Sequence, residues 1–158
     1  SITFFYSHGP PGPMRCRCLQ RTDLPELVSM SRENMAGIIL SSWGEEWKDE
    51  KLLELLLDQR VETTVLEDDE GIMAYFCVED IDEYMFISSF QVRRDRQGMG
   101  LGSAMMDMIE QKARQHGKAE VELCVQFTNE RAIEFYYYQG YDLAHRNGNN
   151  LVMRKRLS

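Results

Sequence analysis

Apolar residues change their spacing along the chain, and the changes divide it into elements. Leu101, Ala104, Met105, Met108 and Ile109 recur at helical intervals and predict a helix over residues 103–115, stopped by Gly117. Residues 120–127 then alternate, with Val121, Leu123, Val125 and Phe127 on one face, as a half-buried strand does. Upstream, the runs VETTVLE (61–67), GIMAYFCVE (71–79) and YMFISSFQV (84–92) are extended in character. Short acidic turns join them, which predicts an antiparallel meander. Residues 14–20 predict a further strand. Thr22 is placed to cap a helix over 23–36 that tolerates Pro25 in its first turn, and leucine-dense 51–60 predicts another helix. A short helix over 130–138, closed by Gly140, precedes a last strand near 151–156. Residues 1–13, with Gly9, Pro10, Pro11, Gly12 and Pro13, read as an irregular lead-in to one domain spanning 14–158.

With 158 residues and 43% hydrophobic content, a single core is expected. No apolar run approaches the length of a membrane helix, and the N-terminal SITFFYSHGPPGPM has no charged leader followed by a long apolar stretch, so the expected location is cytoplasmic, with no membrane partner. Cys16, Cys18, Cys77 and Cys124 lack C-x-x-C spacing and the three histidines are scattered, which predicts free thiols and no metal site. A formal charge of -8 and a pI near 4.9 argue against nucleic acid as a partner. Charge is divided within the chain: Arg93, Arg94 and Arg96 precede a glycine turn, whereas carboxylates gather at Glu45, Glu46, Asp49 and Glu50, at 67–70 and at 79–83. An anionic ligand beside a cationic substrate suits such a division.

The glycine turn carries the clearest chemistry. Gln97, Gly98, Met99, Gly100, Leu101 and Gly102 read Q-x-x-G-x-G, directly before a helix whose first turn offers unpaired N–H groups and a partial positive charge. Such a turn is a site for phosphate or pyrophosphate. It lacks the Lys-Ser/Thr of a nucleotide P-loop, and Ser103 stands where a dinucleotide fingerprint has its third glycine. The plainer alternative is a surface turn between strand and helix. A second segment weighs against that: NERAIEFYYYQGY, residues 129–141, reads N-x-x-A-x-x-F-Y-x-x-x-G-Y and follows directly on a strand.

Together, V-x-x-x-x-Q-G-x-G-x-G at 92–102 and this second motif resemble the Gcn5-related N-acetyltransferase (GNAT) family. The resemblance runs from about residue 22 to the C-terminus and is specific over 85–141. It implies an α/β (α+β) fold, with a single mixed, mostly antiparallel twisted sheet flanked by helices and a central splayed strand. It implies acetyl-CoA as the acyl donor. Gly98, Gly100 and Gly102, with the N–H groups of Met99, Leu101 and Ser103, match the segment that holds the coenzyme A pyrophosphate, and Gln97 stands where the family has Arg or Gln. Phe90, Gln91 and Val92 match the splayed strand that pairs with the pantetheine arm, Asn129 matches an Asn on the same arm, and Tyr136 matches the tyrosine near the sulfur. Arg94 departs from the pattern, replacing a common proline.

The reaction implied is direct transfer of acetyl to a primary amine, of a small cationic compound or of a peptide or protein. Tyr136 is the candidate general acid, since a phenol near pKa 10 can hand a proton to a departing thiolate. Glu83 is the candidate base among the acids before the central strand, with solvation of a plain turn as its alternative. Trp43, Glu45, Glu46 and Trp47 read either as packing at a helix-helix corner or as a lip that holds an amine. The competing reading is a catalytically inactive acyl-CoA-binding sensor. The acceptor amine is not legible, nor is the oligomeric state, a homodimer included.

Overall fold

The computed structural model describes residues 13–158, and residues 2–5 as backbone. Eight strands form one sheet in the order β1-β2-β3-β4-β5-β6-β8-β7. Strands β3 (Val61–Asp68), β4 (Gly71–Ile81) and β5 (Tyr84–Val92) are the expected meander, antiparallel throughout. Part of the lead-in expected to be irregular is extended: β1 (Ile2–Phe5) pairs with β2 (Pro13–Cys18) at the sheet edge. At the other edge, β8 (Asn150–Arg156) lies between β6 (Glu120–Gln126) and β7 (Asp142–Asn147).

Helices cover both faces. On one, α3 (Leu101–Gln115) and α4 (Glu130–Tyr138) bury Leu101, Met105, Ile109 and Tyr136 against Phe76, Ile87 and Leu123. On the other, α1 (Leu24–Trp43) and α2 (Asp49–Leu57) bury Leu27, Val28, Leu52 and Leu56 against Val65, Tyr75 and Cys77. This is why β4 is buried at seven consecutive positions and does not alternate. Helix α1 runs seven residues past the expected end, until Gly44 adopts a left-handed φ of 67° and its N–H closes on the Leu40 carbonyl at 2.9 Å. Thr22 is not its cap. A 3-10 turn (Arg21–Asp23) leads in, and the Asp23 carboxylate accepts from the Gln20 N–H at 2.7 Å and from Arg17 at 2.7 Å. Residue 127 is not strand: β6 stops at Gln126, and Phe127 turns outward under the Arg146 guanidinium, 5.1 Å from its ring centre.

One departure from regularity positions everything that follows. Strands β5 and β6 are parallel neighbours, yet they pair only where Tyr84 to Ile87 oppose Glu120 to Leu123. At that point the β4–β5 register slips: Val78 opposes Ile87 and Cys77 opposes Ser89, so Ser88 is an unpaired bulge residue. A bulge bends its strand and increases its twist. Beyond it β5 follows β4 and β6 follows β8, and the sheet opens between them.

Candidate functional site

Helix α1 spans this opening. At its middle, Asn34 Nδ2 donates to the Val92 carbonyl at 2.8 Å and to Gln91 Oε1 at 3.1 Å, on β5. At its end, Ser41 and Ser42 share hydrogen bonds with Thr128, just past β6, and Asn149 Nδ2 donates to the Ser42 carbonyl at 2.7 Å. Eight residues of helix, about 12 Å, separate the two anchors. Beneath it lies a cavity of about 960 Å³, lined from α3 and α4 on one face of the sheet and from α1 and α2 on the other. The splay is therefore a passage through the sheet.

The glycine turn forms one wall. Gly98 and Gly100 have φ of 78° and 86°, where a side chain would be strained, and Gly100 is the N-cap of α3. No side chain caps that terminus and its first turn holds no acid, so the first-turn N–H groups face the ligand side with the helix dipole behind them. Gly102 is there for space. A Cβ on it would stand 3.0 Å from Phe135 Cζ. Ser103 Oγ accepts from Gln139 Nε2 at 2.9 Å, a second tie between α3 and α4. Gln97 Nε2 donates to the Val92 carbonyl at 3.0 Å, so its side chain braces the turn. All the residues from 97 to 103 line the cavity except Met99.

The arginines are not the loose countercharge expected. Buried Arg96 is paired with Asp68 at 2.8 Å and with Glu70, which pins the turn to the β3–β4 hairpin. Arg93 holds Asp95 at 2.7 Å and the Ile72 carbonyl at 2.9 Å. Arg94 lies by Glu33, though it also lines the cavity, as does exposed Arg131 in the first turn of α4.

Phe90, Gln91 and Val92 line the cavity along β5, and Asn129 lines it while capping α4 through Oδ1 to the Ala132 N–H at 3.3 Å. Tyr136 reaches it from α4, set edge-on against Phe90, Phe135 and Tyr141 at centroid distances of 6.1, 5.4 and 6.2 Å. Burial pushes its phenol well above the ordinary value. It therefore keeps its proton throughout the physiological range.

Trp43, Glu45, Glu46 and Trp47 also line the cavity, so the segment is at once a helix corner and a wall. Trp47 Nε1 donates to Asp49 Oδ1 at 2.6 Å, and Asp49 Oδ2 takes Arg32 at 2.7 Å, which fixes the corner. Glu83 is elsewhere. It sits in the β4–β5 turn, its carbonyl accepting from the Ala119 N–H at 2.9 Å, where the two parallel strands begin to pair. It is not among the residues that line the cavity, the nearest of which on β5 is Ile87, four residues or about 13 Å along the strand. Near that turn, at the end of β4, Asp80 is engaged with His116 at 3.0 Å and with Lys118.

Several wall residues carry no sequence signature. Ser88 and Cys124 flank the start of the splay, and Ser31 and Ser89 line the floor below it, joined through the fully buried Tyr75 beneath, whose Oη lies 2.5 Å from Ser31 Oγ and 3.0 Å from Ser89 Oγ. Asn34 had one readable signal: it is a polar residue near the apolar stripe of an amphipathic helix. The arrangement brings the glycine N-terminus of α3, the stretch of β5 that no longer pairs with β6 and a protonated phenol around one passage.

Residues 25–141, well over half of the chain, match the acetyltransferase (GNAT) family. No curated protein matches it in sequence. Its fold is similar to that of PaiA N-acetyltransferase from Thermoplasma acidophilum, solved with coenzyme A, at a TM-score of 0.77 and 19% identity over 91% of this chain and 99% of that one. The ribosomal-protein-S18-alanine N-acetyltransferase of Escherichia coli gives 0.70 and 21% over 92% and 94%. The spermidine N-acetyltransferase of Vibrio cholerae, solved with CoA and spermine, gives 0.68 and 19% over 90% and 95%. The splayed sheet and both sequence motifs fall within the matched residues, and the chain belongs to the acetyltransferase (GNAT) family, as an N-acetyltransferase dependent on acetyl-CoA.

Proposed function

We propose that acetyl-CoA enters from the α3–α4 face, with its pyrophosphate on the N–H groups of Gly98, Gly100, Leu101, Gly102 and Ser103 and its pantetheine arm along Phe90, Gln91 and Val92. The chain fits that ligand. The cradle is made of glycines, one of which has no room for a Cβ, and the helix terminus carries neither a capping side chain nor an acid. Arg131 and Arg94 supply exposed positive charge nearby, and the Asn129 Nδ2 remains a donor once Oδ1 has capped α4. When bound, acetyl-CoA supplies a thioester whose acetyl carbon forms the new C–N bond as its C–S bond breaks.

Tyr136 acts at the sulfur. Its hydroxyl, held protonated by burial, donates to the sulfur as charge develops there, and its proton is replaced by way of water from the amine nitrogen. The amine arrives from the α1–α2 face as the free base. The carboxylates lining the cavity among the described residues are Glu45 and Glu46, both exposed at the mouth beside exposed Lys48 and Lys51, so the deprotonation itself is left to solvent. A cysteine nucleophile is disfavoured, because desolvation and Glu122 push the Cys124 thiol up and burial pushes Cys77 to about 12. Four free cysteines suit a cytoplasmic location. The acceptors for which two proteins of similar fold are named, an alanine of ribosomal protein S18 and spermidine, differ from each other, so the fold leaves the amine open.

The observation that carries this reading is the coincidence of the β5–β6 splay with the uncapped glycine terminus of α3 and Tyr136 in one cavity. Calorimetry with acetyl-CoA, CoA, ATP and NAD tests the ligand, with binding expected for the first two. Release of thiol from acetyl-CoA that depends on an added amine tests the reaction. Binding without amine-dependent release would mark a sensor instead.

A further inference from the structure

The α1–α2 side of the passage has a composition that narrows the acceptor. The first half of α1 is spent on the core, where Leu27, Val28 and Ser31 are buried. Its second half continues the apolar stripe with Met35, Ile38, Ile39 and Trp43, which are not buried in the core and line the cavity instead. From α2, Leu52 and Leu55 complete that wall. An apolar stripe facing a cavity is a surface that gains from an apolar occupant, at about 0.8 kcal/mol per buried methylene. Among the described residues, the charges lining this side lie at the α1–α2 loop and the first turn of α2: Glu45, Glu46, Lys48 and Lys51 are exposed, and Asp49 is committed to Trp47 and Arg32.

A polyamine seated with its reacting nitrogen at the splay would set its second ammonium against this apolar wall or at the mouth, where Glu45 and Glu46 are shared with exposed Lys48 and Lys51. Among the described residues no carboxylate lines the interior to receive it, and an unpaired charge there is unfavourable by several kcal/mol. A polypeptide meets a different obstacle. The bonds of Ser41 and Ser42 to Thr128 and of Asn149 to the Ser42 carbonyl tie the end of α1 to the β6–α4 loop and the β7–β8 turn, closing the side along which an extended chain would have to lie. The mouth at Trp43 and Trp47 remains.

Building on the transferase reading above, we propose that the acceptor is a small primary monoamine with an aliphatic or aromatic body, its body against Ile38, Ile39 and Trp43 and its nitrogen at the splay. The wall selects it by apolar contact, and the charged side chains of the mouth, Glu45 and Glu46 beside Lys48 and Lys51, leave that selection to its body.

The test uses the full chain with acetyl-CoA and follows thiol release with straight-chain alkylamines from ethyl to hexyl, phenethylamine, spermidine and a short peptide with a free N-terminus, compared at equal free-base concentration. The expected result is a rise in kcat/KM of about threefold to fourfold per methylene along the alkyl series. Hexylamine or phenethylamine should exceed spermidine and the peptide by about tenfold or more. Ile39→Asn should raise the KM of hexylamine by about tenfold while the KM of acetyl-CoA holds. A flat alkyl series, or preference for spermidine or the peptide, overturns the acceptor assignment and leaves the transferase reading standing. Acetyl-CoA binding with no transfer to any amine overturns both.

Discussion

Gly102 and Phe135 stand so close that a single added carbon on the glycine would fall 3.0 Å from Phe135 Cζ and 3.2 Å from Cε1. The contact joins the first turn of α3 to α4, and through Phe135 it braces the neighbouring Tyr136, whose ring meets it edge-on at 5.4 Å. Two motifs separated in the chain are thus parts of one packing unit. One carries the proposed pyrophosphate site and the other the phenol.

Gly102→Ala sets two effects against each other. Helix propensity favours alanine by up to about 1 kcal/mol, whereas overpacking costs about 1–3 kcal/mol. The clash should win, lowering stability by about 1 kcal/mol and weakening acetyl-CoA binding. Phe135→Leu in the same chain should recover much of the loss. Denaturant melts of the two single variants and the double variant check this, and strict additivity would deny the coupling.

Ser103→Asp should move stability and binding in opposite directions. An acid in the first turn of α3 is favourable to the helix by about 0.5 kcal/mol, but it brings negative charge to the proposed pyrophosphate site and should weaken acetyl-CoA by about tenfold or more. Calorimetry beside a thermal melt reads both. Unchanged affinity would place the pyrophosphate elsewhere.

The Arg17–Asp23 pair gives a pH dependence of stability. The Arg17 guanidinium, helped by the Gln20 N–H, holds the buried Asp23 carboxyl below its ordinary value. A depressed folded pKa means stability that is fully present above about pH 4, the ordinary aspartate range, and lost as pH falls through the folded value. Asp23→Asn should therefore cost about 2 kcal/mol at neutral pH, with the gap from the natural chain narrowing in acid. Urea melts from pH 7 to pH 3 measure it, and a constant gap would contradict the assignment.

The rate should also depend on pH in a particular way. With the lining carboxylates exposed at the mouth, kcat/KM for the amine should rise about tenfold per pH unit from 7 to 9, following the free base of an amine with pKa near 10. A plateau near pH 7 would reveal a base within the protein.

What the sequence made legible was local. The glycine turn and the Asn129–Tyr141 motif with its short helix each have a signature within a few residues, and the structure puts them together, with Asn129 capping that helix, a role the motif alone does not announce. Strand β7 was missed because every one of its residues is exposed, so it has no buried face to alternate with. The bulge at Ser88 follows from how β5 meets β4, which no single residue announces. Arg96 looked like countercharge because its partner Asp68 is 28 positions away in the chain. Glu83 looked available because a turn acid gives no sign of which end of the sheet it occupies.

Direct transfer with Tyr136 as proton donor is tested most directly by Tyr136→Phe, which keeps the ring against Phe90, Phe135 and Tyr141 and removes only the hydroxyl. Exposed Tyr137 and Tyr138, changed in the same way, are the controls. The measurement is kcat with a saturating amine, beside the acetyl-CoA dissociation constant and the melting temperature. The account predicts a fall in kcat of about 100-fold, with binding and melting nearly unchanged and the two control variants fully active. Full activity in Tyr136→Phe with unchanged melting would contradict it.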